Sequence, residues 1–432
     1  MTDPPGASVI LKCLQTQALV IRTHGVIRLN RVLSSVAMAV VAAIFWTGCG
    51  GSSNNSSSNT KPLTNLQNRL FVSNAQTGFI QIVDATKDEL AGLETGKTTL
   101  YNILINGAPE FMDSTPDNKT IAVYDASFTS VAVVSSQIED RTAKASLGGA
   151  SDSIRITSDG KFVYAAVRNR VNTTGAPGAV QVLDVTNNVI SANYPVPNAR
   201  WVALSPDNKT LLVFPDDPSN TPYLIDLTAT SPAAVPIPGT FDRPVAAYFS
   251  SDNSKAYVLN CGPECGGAQA GVTELTIATL AQRTVSVPAA TVATLDGTTL
   301  YVAGQTATGG AVSVVDTGAL TVSSSKTIGN GLHGVMRVQD GKVWIGATSC
   351  GGGGCLSIFD PSSGNVIVDD PAPGTSSKGD VTGMDFNTPT KLMYVCEGGE
   401  LNRYDTSGTP VSTKVDIVGK AWDVRAVPPV TK

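Results

Sequence analysis

TSDGKFVYAAVRNRVNTTGAPGAVQVLDVTNNVI, residues Thr157 to Ile190, holds a tight turn at Ser158-Asp159-Gly160 and an apolar run from Phe162 to Val167. A polar, Gly-containing loop follows, and then a second apolar run from Ala179 to Val185. Two runs rich in β-branched and aromatic residues joined by such a loop read as a β-hairpin. The pattern recurs along the chain at a spacing of about 45 residues, and a fixed period of that size signals a repeat architecture.

Eight hairpins can be counted. Their paired runs are LFVSN with FIQIVDA from Leu70, TIAVYDA with SVAVVSS from Thr120, FVYAAV with AVQVLDV from Phe162, and TLLVFPD with PYLIDL from Thr210. The other four are KAYVLNC with VTELTIA from Lys255, LYVAG with AVSVVDT from Leu300, KVWIGAT with CLSIFDP from Lys342, and LMYVC with ELNRYDT from Leu392. Seven are preceded by a further short run that enters a tight turn, as in WVALSPDN at Trp201 and AAYFSSDN at Ala246, and a looser fourth run follows each hairpin. The first hairpin lacks a preceding run, and the last is followed by the orphan AWDVRAV from Ala421 to Val427. Four strands per unit, with a missing first strand supplied from the far end, predict an all-β fold: a β-propeller of eight four-stranded blades closed by a C-terminal strand. Seven blades is the alternative, because the unit from Thr291 to Gly329 has the poorest first strand.

The runs LFVSN, FVYAAV and KAYVLN, followed by VQVLDV or VSVVDT with SPDN or SDG turns between, resemble the YVTN-type β-propeller repeat family over residues 66–428. The resemblance implies a propeller of the lactonase-like superfamily. It implies much about fold and little about function.

Composition agrees with many short strands. The 432 residues include 41 Gly and 25 Pro, with 42% hydrophobic and only 15% charged side chains. Without the first 48 residues, 26 basic and 34 acidic side chains remain, and Lys and Arg form no cluster suited to a phosphate backbone, so nucleic acid is not expected as a partner.

Arg28 and Arg31 precede the apolar run Val32 to Trp46, which is short for a membrane span and right for the core of a signal peptide. The run ends at Thr47-Gly48-Cys49, which resembles the lipobox of bacterial lipoproteins, although Trp46 stands where an aliphatic residue is usual. That likeness makes 1–48 a lipoprotein signal and Cys49 the lipidated residue, with an ordinary cleaved signal or an uncleaved anchor as the alternatives. GGSSNNSSSNT, from Gly50 to Thr60, has nothing to bury, so residues 49–65 read as a flexible tether and 66–428 as the propeller.

In a four-stranded meander, the links between strands two and three and those between blades lie on one face. That face carries the long, varied loops Asn169 to Gly178, Gly262 to Gly271, Gln305 to Gly310 and Ser349 to Gly354, and loops that vary on a rigid frame are where binding is usually placed. Lining the units up on the turn places Trp422, Glu110, Asp152, Arg200, Val245, Ala289, His333 and Val381 just before the innermost strands. Glu110, Asp152, Arg200, His333 and Trp422 are the candidate ligand-binding residues at the channel mouth. The competing reading is a hydrated funnel whose charges pair with one another.

His333 is the only histidine after the leader, which leaves no multi-histidine metal site and makes any triad depend on it. No phosphate loop, nucleophile elbow or HExxH helix occurs. No resident cofactor is expected, and calcium at a carboxylate-lined channel is the one ion considered. The acidic pairs Asp216-Asp217 and Asp369-Asp370 read as solvated loop residues. Cys261 with Cys265 and Cys350 with Cys355 each lie within one hairpin loop. In an oxidising compartment they read as two local disulfides, with a zinc site shared by all four as the alternative, while Cys396 is left over in a strand.

The expectation is a bacterial cell-envelope lipoprotein, periplasmic or surface-exposed and held in a membrane by its lipid. Its propeller would act as a binding or scaffold module for a protein, a glycan or a small polar ligand. The alternative is a lactonase-like hydrolase with Glu110, Asp152, Arg200 and His333 as candidate catalytic residues.

Overall fold

The computed structural model describes residues 62–92, 100–168, 178–217, 219–350, 355–368, 378–411 and 414–431. The leader, Cys49 and most of the proposed tether lie outside the described residues, as do 169–177 and 351–354 of two rim loops and the pair Asp369-Asp370.

The described strands fall into eight separate antiparallel sheets, here blades 1 to 8 in chain order, with strands lettered a to d from the channel outward and blade 8 reaching only c. The stretch that opened the sequence analysis becomes most of blade 3. Its strand a is Ser151–Ile156, and strands b, c and d are Phe162–Val167, Ala179–Asp184 and Val189–Pro195. Phe162 faces Asp184 and Val167 faces Ala179 across the hairpin. The unit with the weakest first strand is a complete blade 6, from Val292–Asp296 through Thr299–Thr306 and Gly309–Asp316 to Thr321–Ile328.

Closure follows the expected route. In blade 1, Ala421–Val427 is strand a and pairs antiparallel with Arg69–Asn74 as strand b, followed by Phe79–Asp84 as strand c. Strand d of blade 1 is split into Glu89–Leu90 and Asn102–Leu104, both paired with strand c. Blade 8 has three full strands, and the isolated bridges Leu401 to Val415 and Tyr404 to Pro410 stand on the outer side of the third. Strands a of successive blades adjoin one another around the whole ring, including blade 8 to blade 1, which fixes the count at eight.

Why strands b and c read as unbroken apolar runs is clear from their burial. Each blade is covered on both faces by its neighbours, so Leu70 and Val72 pack toward blade 8 while Phe71 packs toward blade 2. The core is therefore not one mass but a set of eight clusters among the described residues, one at each blade interface. Each fully buried Val, Leu, Ile or Phe stabilises its interface by about 1.5–3 kcal/mol. Strands d have one face in water, and Asp140–Ser146 (DRTAKAS) is correspondingly polar.

The face opposite the varied loops carries turns with repeated chemistry. In blades 2 to 5, the hydroxyls of Thr115, Thr157, Ser205 and Ser250 each donate to an Asp two residues on, at 2.6–2.7 Å. Asn118, Gly160, Asn208 and Asn253 then take the positive φ that closes the turn, a conformation that Asn and Gly adopt most readily. Blade 7 uses a shorter hairpin instead, with Asp340 and Gly341 both at positive φ.

Ion pairs lock the arc where the chain ends meet. The wholly buried Arg69 guanidinium pairs with the equally buried Glu139 carboxylate of blade 2, and it also donates to the Pro428 carbonyl beyond the closing strand. Glu139 accepts the Thr64 amide at 2.7 Å, so the Arg69–Glu139 pair ties the entering chain, blade 2 and the exit segment together. Across the blade 8 to blade 1 seam, Asp88 pairs with Arg403 and accepts the Tyr394 hydroxyl at 2.9 Å.

Candidate functional site

Seven of the eight strands a carry a β-bulge near their start. A bulge re-aims the side chain that it leaves unpaired. Those residues are Trp422, Glu110, Asp152, Arg200 and Val245 in blades 1 to 5, as the sequence alignment placed them. In blades 7 and 8 they are Gly334 and Thr382, each one residue later than His333 and Val381. For blade 7 the cause is the short Asp340-Gly341 hairpin, which shifts an alignment made on the turn Asp by one position.

Asp152 and Arg200 come together at the rim, joined by two residues from the ends of strands b. Arg200 Nε lies 3.0 Å from Asp152 Oδ2, and Arg200 Nη1 lies 2.8 Å from Asp216 Oδ2. Arg168 pairs with Asp152 and stands 3.6 Å from Asp216, closing a square of alternating charge. The Arg200 guanidinium also stacks over Trp201 at 4.2 Å. Asp216, read from sequence as a solvated loop acid, is thus a member of the square. Each charge here already has two opposite neighbours, and pairs this exposed contribute about 0–1 kcal/mol each.

Glu110 belongs to a second group. It is half-buried, and burial raises its pKa against the pull of Lys420, while Asp125 adds to the rise. Lys420 lies over the Trp422 ring at 5.1 Å. Asp125 accepts Lys144 Nζ at 2.8 Å and the Ala108 amide at 2.9 Å; burial opposes its charge, but these bonds hold its pKa below the usual carboxylate range.

His333 joins neither group. It is 5% exposed, packed against Gly310 of blade 6, with Nε2 3.0 Å from the Gly329 carbonyl oxygen. Nδ1 is buried without a hydrogen-bond partner. Burial drives the imidazole pKa down to about 4, opposed by the Gly329 contact, so the ring is neutral near pH 7.

Both expected disulfides are present on this rim, Cys261–Cys265 and Cys350–Cys355, and Cys396 is buried and free. Four cysteines bonded in pairs leave no zinc site among them. Between Cys261 and Cys265 the chain forms a 3₁₀ turn, Gly262–Cys265, that presents Glu264 to the next blade. Glu264 accepts the Gln305 amide at 2.8 Å, pinning the bridged loop of blade 5 to blade 6, and burial raises its pKa. Among the described residues, no three His, Cys, Asp or Glu side chains group as a metal site.

A second ring was not anticipated. Three residues after each bulge, and at the same place in blade 6, strand a sets one side chain at a common level of the channel: Arg425, Asp113, Arg155, Ala203, Tyr248, Thr294, Arg337 and Asp385 for blades 1 to 8. From blade 7 through blade 3 the charges alternate, Arg, Asp, Arg, Asp, Arg, whereas blades 4 to 6 contribute no charge.

The acids of this arc serve the backbone. Asp113 accepts the Ile156 amide and Asp385 the Ala426 amide, both at 2.8 Å, and Asp423, one turn of pleat nearer the rim, accepts the Met112 amide at 2.8 Å. Each bond runs to strand a of the following blade, whose inner edge has no partner strand. Arg425 donates to Asp423 Oδ1 at 2.6 Å and to the Met112 carbonyl. Burial works against its charge, but Asp423, Asp385 and Asp113 together raise its pKa. A signal for this ring exists in the sequence: a lone charge inside the apolar runs FMDS, SIRI, VMRV and GMDF, and a pair of charges in DVRAV.

No family model matches this chain, and no curated protein matches it. Among solved structures, dihydro-heme d1 dehydrogenase NirN in complex with DHE is similar with a TM-score of 0.63 at 15% identity, covering 84% of this chain and 75% of that one. The C-terminal WD40 domain of Sif2 is similar with a TM-score of 0.57 at 9% identity, covering 76% and 90%. A functionally unknown protein from Desulfotomaculum acetoxidans DSM 771 gives 0.51 at 16% identity, covering 84% and 99%. At these identities the likeness is one of fold, and with the closed ring it establishes an eight-bladed β-propeller.

Proposed function

We propose that this chain is an exported, lipid-anchored binding module whose working surface is the rim bearing the long loops between strands b and c. The observation that carries the reading is the placement of both disulfides on that one rim, while the opposite face is built from repeated short turns. Local disulfides suit an oxidising compartment, and loops of this size stiffen a surface more than they stabilise a fold. The apolar run ending in Thr47-Gly48-Cys49 and the polar stretch after it supply the export and anchoring half of the proposal. The neutralised Arg168, Arg200, Asp152 and Asp216 square and the Lys420–Trp422 pair then present a polar, aromatic rim suited to a protein, a glycan or a small polar ligand.

Detergent phase partition of cells expressing the full chain tests the anchor. The wild type is expected in the detergent phase and Cys49→Ser in the aqueous phase; a Cys49→Ser protein that still partitions with detergent overturns lipid anchoring. Screening glycans and small polar ligands by tryptophan emission tests the rim, where a response must be lost in Trp422→Phe.

A further inference from the structure

The channel level described above is unequal in its donors and acceptors. Its two acids, Asp113 and Asp385, and the adjoining Asp423 are committed to backbone amides, and Arg425 is committed to Asp423 and the Met112 carbonyl. The two arginines at the ends of the charged arc differ from it. Arg155 Nη1 donates to the Ile154 carbonyl at 2.8 Å and Arg337 Nη1 to the Met336 carbonyl at 3.0 Å. Among the described residues neither has a carboxylate within ion-pairing distance. A guanidinium carries five N–H donors, so most of each fork stays free.

Between these ends lies the neutral arc of Ala203, Tyr248 and Thr294. The Tyr248 hydroxyl accepts the Ala293 amide at 3.0 Å, which leaves its own proton to donate. Tyr248 stands at the same register level as Arg155 and Arg337, and burial raises its pKa, opposed by the Ala293 bond and by the charges of those two arginines. Donors from blades 3, 5 and 7 therefore share one level of the channel, where Asp385 and Asp423 act on Arg337 only from beyond ion-pairing distance. Guanidinium forks match the spacing of oxyanion oxygens and bind them with charge-assisted bonds.

We propose that the channel binds a small oxyanion, a phosphate or carboxylate group, between Arg155 and Arg337 with Tyr248 as the third donor. The site stands whether or not the rim takes a partner, since it uses none of the rim residues. Ala203 keeps the wall beside Arg155 small, and the ligand fills the space that a charged side chain from blade 4 would occupy.

The test is calorimetric titration of the full chain with sodium phosphate and, separately, with sodium succinate, each against a sodium chloride blank. Binding at one site is expected, with phosphate tighter if the natural group is phosphoryl and succinate tighter if it is a carboxylate. Arg155→Gln and Arg337→Gln should each weaken binding by about tenfold or more, and the double variant should abolish it. Lys161→Gln, on the opposite face, should bind as the wild type does. If Arg337→Gln fails to fold, Arg155→Gln, whose side chain is exposed to the channel, decides alone. No heat with either anion up to about 10 mM, or equal affinity in Arg155→Gln, overturns the proposal.

Discussion

Two arcs of the same ring solve one problem differently. Every strand a leaves an inner edge of amides without a partner strand, and each blade must hold the next. From blade 8 through blade 2, where the two ends of the chain meet, carboxylates do this: Asp385, Asp423 and Asp113 accept amides of the following blade, and buried pairs such as Arg69–Glu139 bind segments far apart in sequence. From blade 3 through blade 6, hydroxyls at Ser153 and Tyr248 take the same role, at 3.2 and 3.0 Å, joined by Glu264 at the rim. Adjacent blades on a continuous chain are already held near one another by short links. At the seam the loop that must close is almost the whole domain, and directional, charge-assisted bonds fix its register.

The largest expected effect tests this contrast at its strongest point. Glu139→Ala strands the buried Arg69 and frees Thr64, and should cost about 3–5 kcal/mol in urea unfolding, whereas Glu264→Ala in the other arc should cost about 1–3 kcal/mol. Equal losses would break the distinction between the arcs.

Acid probes the interface of blades 6 and 7 through His333. Its pKa of about 4 in the folded chain lies below the ordinary value of 6.5, so the unfolded chain binds the extra proton between those values. The stability it confers is intact above about pH 6.5, falls as the pH is lowered, and is gone by about pH 4, a change on the order of 3 kcal/mol. His333→Gln should flatten stability across that window, and an unchanged slope would show that some other group titrates there.

Removing the Cys261–Cys265 bridge by a double Ser substitution should cost about 2 kcal/mol, with the loss read in thermal melts and concentrated at blade 5 rather than the seam in hydrogen exchange. Tyr248→Phe should cost about 1 kcal/mol by orphaning the Ala293 amide, the smallest change and the measure of what a neutral cap contributes.

The blades were legible because their signals are local. A two-sided apolar hairpin such as Phe162–Val167 with Ala179–Asp184 declares itself within 25 residues, and AWDVRAV is an apolar run with no hairpin of its own. The rim residues followed for blades 1 to 5, with turns of one length in blades 2 to 5, and slipped by one in blade 7, where the Asp340-Gly341 hairpin is shorter, and in blade 8. Consequently His333 was expected at the channel mouth and lies instead between blades 6 and 7. The Arg425 to Asp385 ring escaped notice because each charge looks like an isolated flaw in its strand. Only the common register of eight strands makes the set visible. Arg69 and Glu139 carry no sequence sign of their meeting, since nothing local distinguishes a charge that will be buried against a partner 70 residues away.

The closing strand also sets an order in time. Ser73 meets Asp423, 350 residues further along the chain, so blade 1 is the first to leave the ribosome and the last to be finished. Until Ala421–Val427 arrives, Arg69–Asn74 presents a bare strand edge to whatever other chains are nearby. Synthesis halted before Ala421 would yield an open ring rather than a smaller closed one, and its unpaired edge would be a template for misassembly.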